Sequence, residues 1–100
     1  ITEEDKEHAR QGLEHARQVM LSGECDVLIL DEINVAVSYK LLPVESVLEL
    51  LQQKPPEVEL VLTGRGAPRA IIDAADLVTT MVDVKHPYRR GVLARRGIEY

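Results

Sequence analysis

Two adjacent carboxylates, Asp31 and Glu32, close an unbroken apolar run, Val27-Leu28-Ile29-Leu30. Acids placed there suit phosphate cleavage or displacement, in which a carboxylate holds a magnesium ion directly or through its waters. A strand-terminal acid that caps the next helix has the same local sequence, so the pair alone leaves both readings open. Neighbours on a strand point to opposite faces. The two acids are therefore expected to do different jobs, one on a metal and the other on a water or a nearby loop.

Thr63-Gly64-Arg65-Gly66 follows a second apolar run and is the next candidate. Its glycines allow close backbone approach to a ligand, and Arg65 offers a planar fork suited to phosphate; a tight turn with a surface arginine is the plainer reading. Lys85-His86-Pro87-Tyr88 adds a cation, a titratable ring and an aromatic after a third run. His86 can serve a ligand or a metal, although a lone histidine is also a common hydrogen-bonded structural residue. His8 and His15 fall seven residues apart on a charged helix and read as solvent-facing. Cys25 is the only thiol, which excludes an internal disulfide and any Cys-x-x-Cys site and suits a reducing cytosol.

The elements that would position these groups alternate. Residues 2–22 read as a helix with Thr2 and Asp5 as an acidic capping box, an apolar stripe of Ala9, Leu13, Ala16 and Met20, and Ser22-Gly23 as its stop. Residues 26–31 are a strand. Its four consecutive apolar residues suit burial on both faces, as in a parallel sheet. Residues 33–39 favour a short helix over a continued strand. A helix follows at about 43–53, opened by Pro43 and stopped by Pro55-Pro56. Residues 58–63 are a second strand, Pro68 opens a short helix over 68–75, and residues 77–84 are a third strand. Residues 85–100 read as an extended tail. Strands alternating with helices predict an α/β fold with a parallel sheet and right-handed crossovers. Ligands then bind at the carboxyl edge of the strands.

One hundred residues allow one modest domain, and 45% apolar residues are enough for a core. No apolar run reaches the roughly 18 residues of a membrane span, and the acidic start, Ile1-Thr2-Glu3-Glu4-Asp5, does not look like a signal peptide. A net charge of −5 argues against a general nucleic-acid surface. Residues 85–97 nevertheless carry Lys85, Arg89, Arg90, Arg95 and Arg96 with no acid, a basic tail that is either a solvated segment or a contact for an anion. No G-x-x-x-x-G-K-[ST] loop occurs in the chain.

Taken in order, the segments Val27–Asn34, Leu62–Pro68, Ala75–Thr79 and Val84–Tyr88, with Gly91, Ala94 and Gly97-Ile98-Glu99-Tyr100, make the chain resemble the carboxyl-terminal part of the P-loop ATP:corrinoid adenosyltransferases. The stretch from Val84 to Tyr100 is the most family-specific; the Asp-Glu strand is common to many P-loop NTPases. The resemblance implies a RecA-like P-loop fold and a cytoplasmic homodimer. It implies transfer of the 5′-deoxyadenosyl group of ATP to a cob(I) corrinoid in adenosylcobalamin biosynthesis or salvage. ATP, Mg2+ or Mn2+, the corrinoid and a flavoprotein reductant are the cofactors and partners it brings. Carried onto this sequence, it makes Glu32, with Asp31 beside it, the metal-associated acid. It places Gly64, Arg65 and Gly66, together with Lys85 and His86, near the nucleotide.

The family's phosphate-loop strand, with its lysine and threonine, has no counterpart in residues 1–100. In RecA-like sheets that strand lies between those corresponding to 58–63 and 77–84, so the chain is expected to be an incomplete sheet with unpaired apolar edges. Starting at Ile1, it reads as a processed or cut chain. A phosphate loop in frame roughly 70 residues upstream is expected for a cut enzyme, and a start codon beside Ile1 for a shortened paralogue. As a fragment it is expected to be inactive and to bind ATP weakly or not at all. The alternatives are a non-catalytic module binding a corrinoid or a partner chain, and another RecA-like ATPase, against which the tail argues.

Overall fold

The computed structural model describes residues 1–81. Its elements in chain order are α1 (Glu3–Leu21), β1 (Val27–Leu30), α2 (Ile33–Ser38), α3 (Val44–Gln53), β2 (Glu59–Leu62) and α4 (Arg69–Ala74). The capping box at the start of α1 forms as expected. The Asp5 backbone N–H donates to Thr2 Oγ1 at 3.1 Å, and the Thr2 N–H donates to Asp5 Oδ2 at 3.0 Å. Ser22 ends the helix and Gly23 turns it with φ +80°. Pro43 and Pro68 sit one residue outside α3 and α4, at their N-caps and not inside the first turn.

β1 and β2 pair in parallel, with Val27 opposite Glu59 and Leu30 opposite Leu62. Parallel neighbours require a long crossover, which α2 and α3 supply. Among the described residues all the helical packing lies on one face of this pair. Met20, Leu50 and Val58 form one buried cluster against Leu28, Leu30 and Leu60. Ile33, Val37, Leu42, Val47 and Ile71 form a second against Leu30 and Leu62. The amphipathic stripe of α1 thus meets the sheet through the alternate residues of each strand.

The other face of the pair is left uncovered among the described residues. Val27 is 55% and Ile29 60% exposed, and Glu59 and Val61 are exposed beside them. The expected burial of β1 on both faces is therefore not met by the described residues. Among the described residues, an apolar run suited to two-sided burial meets helices on one side only. The third strand expected at 77–84 is also not found over its described part. Residues 77–81 have no strand pairing, and Met81 is 93% exposed. Its residues are of strand-forming type, but a strand exists only when a neighbour accepts its ladder bonds. Residues 82–84 and the tail at 85–100 lie outside the described residues.

Candidate functional site at the carboxyl edge of the sheet

Because β1 and β2 run in parallel and end in register, the residues that follow them leave from the same rim. Asp31-Glu32 and Thr63-Gly64-Arg65 are brought side by side, as the sequence pattern anticipates. Lys85 and His86, the other two residues expected at this rim, lie outside the described residues.

The two acids do not continue the strand. The chain turns at once, and Glu32 takes a left-handed conformation with φ 61° at the N-cap of α2. Both acids lie past the end of β1, so strand alternation does not separate them as expected; they differ in their partners. Asp31 Oδ1 accepts a hydrogen bond from Thr63 Oγ1 at 2.8 Å. The same hydroxyl accepts from the Glu32 backbone N–H at 2.9 Å. The Glu32 side chain makes no cap bond to α2, so the plain helix-capping reading of this acid fails. It stands exposed at the rim.

A second pair of bonds holds the loops together. The Asn34 backbone N–H donates to the Thr63 carbonyl at 3.1 Å, and Asn34 Nδ2 donates to the Gly64 carbonyl at 3.1 Å. Asn34 is only 5% exposed, and its Oδ1 has no hydrogen-bond partner among the described residues. Gly64 has φ +117°, and a Cβ there would lie 3.3 Å from Asn34 Cβ, Glu32 Cα and Val35 Cγ2. Only glycine lets the β2 loop come this close to the β1–α2 turn. Arg65 and Gly66 follow it, both exposed, and Gly66 is again left-handed at φ +68°.

Asn34 is the site residue that sequence reasoning passes over, and the Thr63 hydroxyl, although Thr63 opens the candidate glycine loop, is given no role by it. The available signal was a hydroxyl and an amide standing just past two strand ends. Their partners lie 30 to 32 residues away.

The donor set at this rim is two carboxylates, hard oxygen ligands of the kind magnesium accepts alongside waters and phosphate oxygens. Among the described residues no cluster of three or more His, Cys, Asp or Glu side chains could cage a metal. The arrangement fits a cation carried largely by water and phosphate, and does not fit an all-protein cage. Two surface hollows of about 370 and 420 Å3 open between α1 and α3 and between α3 and α4. Neither is lined by Asp31, Glu32, Thr63 or Arg65, so they are not part of this rim.

Comparison with known proteins gives a consistent result. The whole chain, residues 1–100, matches the family described as ATP:corrinoid adenosyltransferase BtuR/CobO/CobP. It is 36% identical over 98 residues to the corrinoid adenosyltransferase of Escherichia coli K12, covering 98% of this chain and 50% of that protein. It is 39% identical over 93 residues to the enzyme of the same name from Sinorhizobium, covering 92% of this chain and 44% of that one. It is 37% identical over 87 residues to corrinoid adenosyltransferase CobA of Salmonella typhimurium, covering 87% and 44%. The chain thus spans about half the length of these relatives.

Proposed function

This chain belongs to the ATP:corrinoid adenosyltransferase family, and from that premise we propose that it forms the carboxyl-terminal part of an enzyme that moves the 5′-deoxyadenosyl group of ATP onto a cob(I) corrinoid. The observation that carries the reading is the common rim of Asp31-Glu32 and Thr63-Gly64-Arg65 at the ends of two parallel strands. That edge is where open α/β sheets take their ligands.

Cobalt(I) of the substrate is itself the nucleophile, and the C5′–O bond of ATP breaks with release of triphosphate. No side chain need form a covalent bond. The protein's work is to orient the two reactants and to stabilise the triphosphate as it leaves. Glu32, with Asp31 beside it, would hold a magnesium or manganese ion, whose charge offsets that of the triphosphate. Arg65, between Gly64 and Gly66, would approach a phosphate or the ribose from the second strand. Lys85 and His86 would add their groups from the segment beyond.

The proposal extends to a RecA-like sheet completed by the half of the family's length that this chain does not match, with the phosphate-binding loop supplied from there. The one-sided helical packing and the exposed Val27 and Ile29 support it, because they leave a sheet face to be covered. A homodimer, a cytoplasmic location, a role in adenosylcobalamin biosynthesis or salvage, and a flavoprotein source of electrons complete the reading.

The test is formation of adenosylcobalamin from ATP and chemically reduced cob(I)alamin. Product is expected from the gene product that contains these residues. The 100-residue chain alone is expected to yield none and to bind ATP weakly, since acids cannot replace the amides and lysine of a phosphate loop. Micromolar, magnesium-dependent ATP binding by the isolated chain would refute the division of labour. A gene product that binds a corrinoid without transferring the adenosyl group would refute the enzymatic reading.

A further inference from the structure

We propose that Thr63 is the positioning residue of the acid pair: its one hydroxyl fixes both the Asp31 carboxylate and the Glu32 backbone, and so presents Glu32 as the acid open to a divalent cation. The inference rests on the adenosyltransferase reading and adds a residue to it.

The hydroxyl of a threonine has one proton to give and lone pairs to accept with. Here both functions are used across the rim, toward Asp31 Oδ1 at 2.8 Å and from the Glu32 N–H at 2.9 Å. The first bond occupies one oxygen of Asp31 and anchors its carboxylate to the β2 end of the rim. The second ties the Glu32 backbone into its left-handed turn, φ 61°, which a β-carbon makes unfavourable without such support. Neither bond reaches the Glu32 carboxylate. Among the described residues that side chain has no hydrogen-bond partner, and it is exposed.

The tie also sets the rim's two halves in register. Thr63 is followed at once by Gly64, whose carbonyl accepts from Asn34 Nδ2, and then by Arg65. A shift of the Asp31-Glu32 turn would therefore be felt at the arginine loop, and the reverse. Groups one step removed from a metal commonly act in this way, orienting the carboxylates that bind it.

The experiment uses the 100-residue chain and Mn2+ as the probe. Paramagnetic broadening of amide resonances is followed on titration, with circular dichroism as the check on folding. The wild type is expected to lose the signals of residues 31–34 and 63–65 before those of the acidic first turn of α1. T63V keeps the shape and removes the hydroxyl; it should need about tenfold more Mn2+ for the same broadening, within the range that outer ligands of a metal contribute. T63A, which adds no methyl beside Asp31, serves if T63V does not fold. T63S should behave as wild type.

Equal Mn2+ requirement in T63V (or T63A) and wild type would overturn the proposal, as would wild-type broadening that spares the rim. These outcomes are separable from the function itself. Loss of adenosyl transfer by the gene product with the broadening pattern intact refutes the enzymatic reading alone. Intact transfer with no effect of T63V refutes the assignment of Thr63 alone.

Discussion

The Thr63 hydroxyl lies 2.8 Å from Oδ1 of Asp31, joining residues 32 positions apart across the ends of two parallel strands. That bond, with the three beside it, turns two short loops into one rim. Several consequences can be measured on the chain as it stands.

Gly64 is the tightest point of the rim. At φ +117°, and with three atoms 3.3 Å from where a Cβ would stand, G64A should cost about 1–3 kcal/mol of stability. Urea unfolding would show it as a lower midpoint with an unchanged slope. Unchanged stability would mean that the loop does not sit against Asn34 and Val35.

Asn34 gives a sharper comparison. Its Nδ2 donates to the Gly64 carbonyl, while its Oδ1 is buried without a partner among the described residues. N34A loses one hydrogen bond and also removes the orphaned acceptor, so a cost near or below about 1 kcal/mol is expected. N34D replaces the donor with a carboxylate oxygen facing a carbonyl and should cost more, about 2–4 kcal/mol. Thermal melts at neutral pH would rank the two; the reverse order would contradict the bond.

Such pairings explain where sequence reading succeeds and where it stops. The limits of α1, its capping box and its stop at Ser22-Gly23 are set by residues within a few positions of one another, and they follow from the sequence. The shared rim follows from the α/β alternation, which makes β1 and β2 parallel. The Thr63–Asp31 and Asn34–Gly64 bonds depend on register between distant segments, which no local pattern encodes. The open face of β1 and the missing pairing of residues 77–81 are failures of the same kind. An apolar run states what a strand would bury, and its neighbours decide whether it does.

The two faces of the strand pair should respond oppositely to substitution. Leu50 is almost fully buried in the cluster with Met20 and Val58, and L50A should cost about 2–5 kcal/mol. Ile29 faces outward, and I29T should change stability by no more than about 0.5 kcal/mol while reducing self-association of the isolated chain. Urea unfolding and sedimentation would test both. A large loss in I29T would show that its face is covered.

The pH response of α1 has a definite sign. Asp5 is held below its ordinary value chiefly by the hydrogen bond its carboxylate accepts from the Thr2 backbone N–H and next by hydrogen bonding from the Thr2 side chain. Glu7 is lowered chiefly by its bond to Arg10, and Glu14 by its bond to Arg17. Depressed folded-state values mean that the unfolded chain binds these protons more readily. Their stabilisation is then complete above the ordinary carboxylate range and is lost as pH falls through that range and the depressed values below it. Far-UV circular dichroism should show helix lost on acidification, and less pH dependence in T2A. Helix gained on acidification would contradict the ion pairs.

The most direct test of the central claim is adenosylcobalamin formation by the gene product containing these residues, wild type against E32Q, over a range of Mg2+ at saturating ATP and excess cob(I)alamin. The substitution removes one charge from the rim and keeps the side chain's shape. The account predicts transfer by the wild type, with E32Q requiring at least about tenfold more Mg2+ for half-maximal rate. A Mg2+ dependence identical in the two proteins, or no transfer by the wild type, would contradict it.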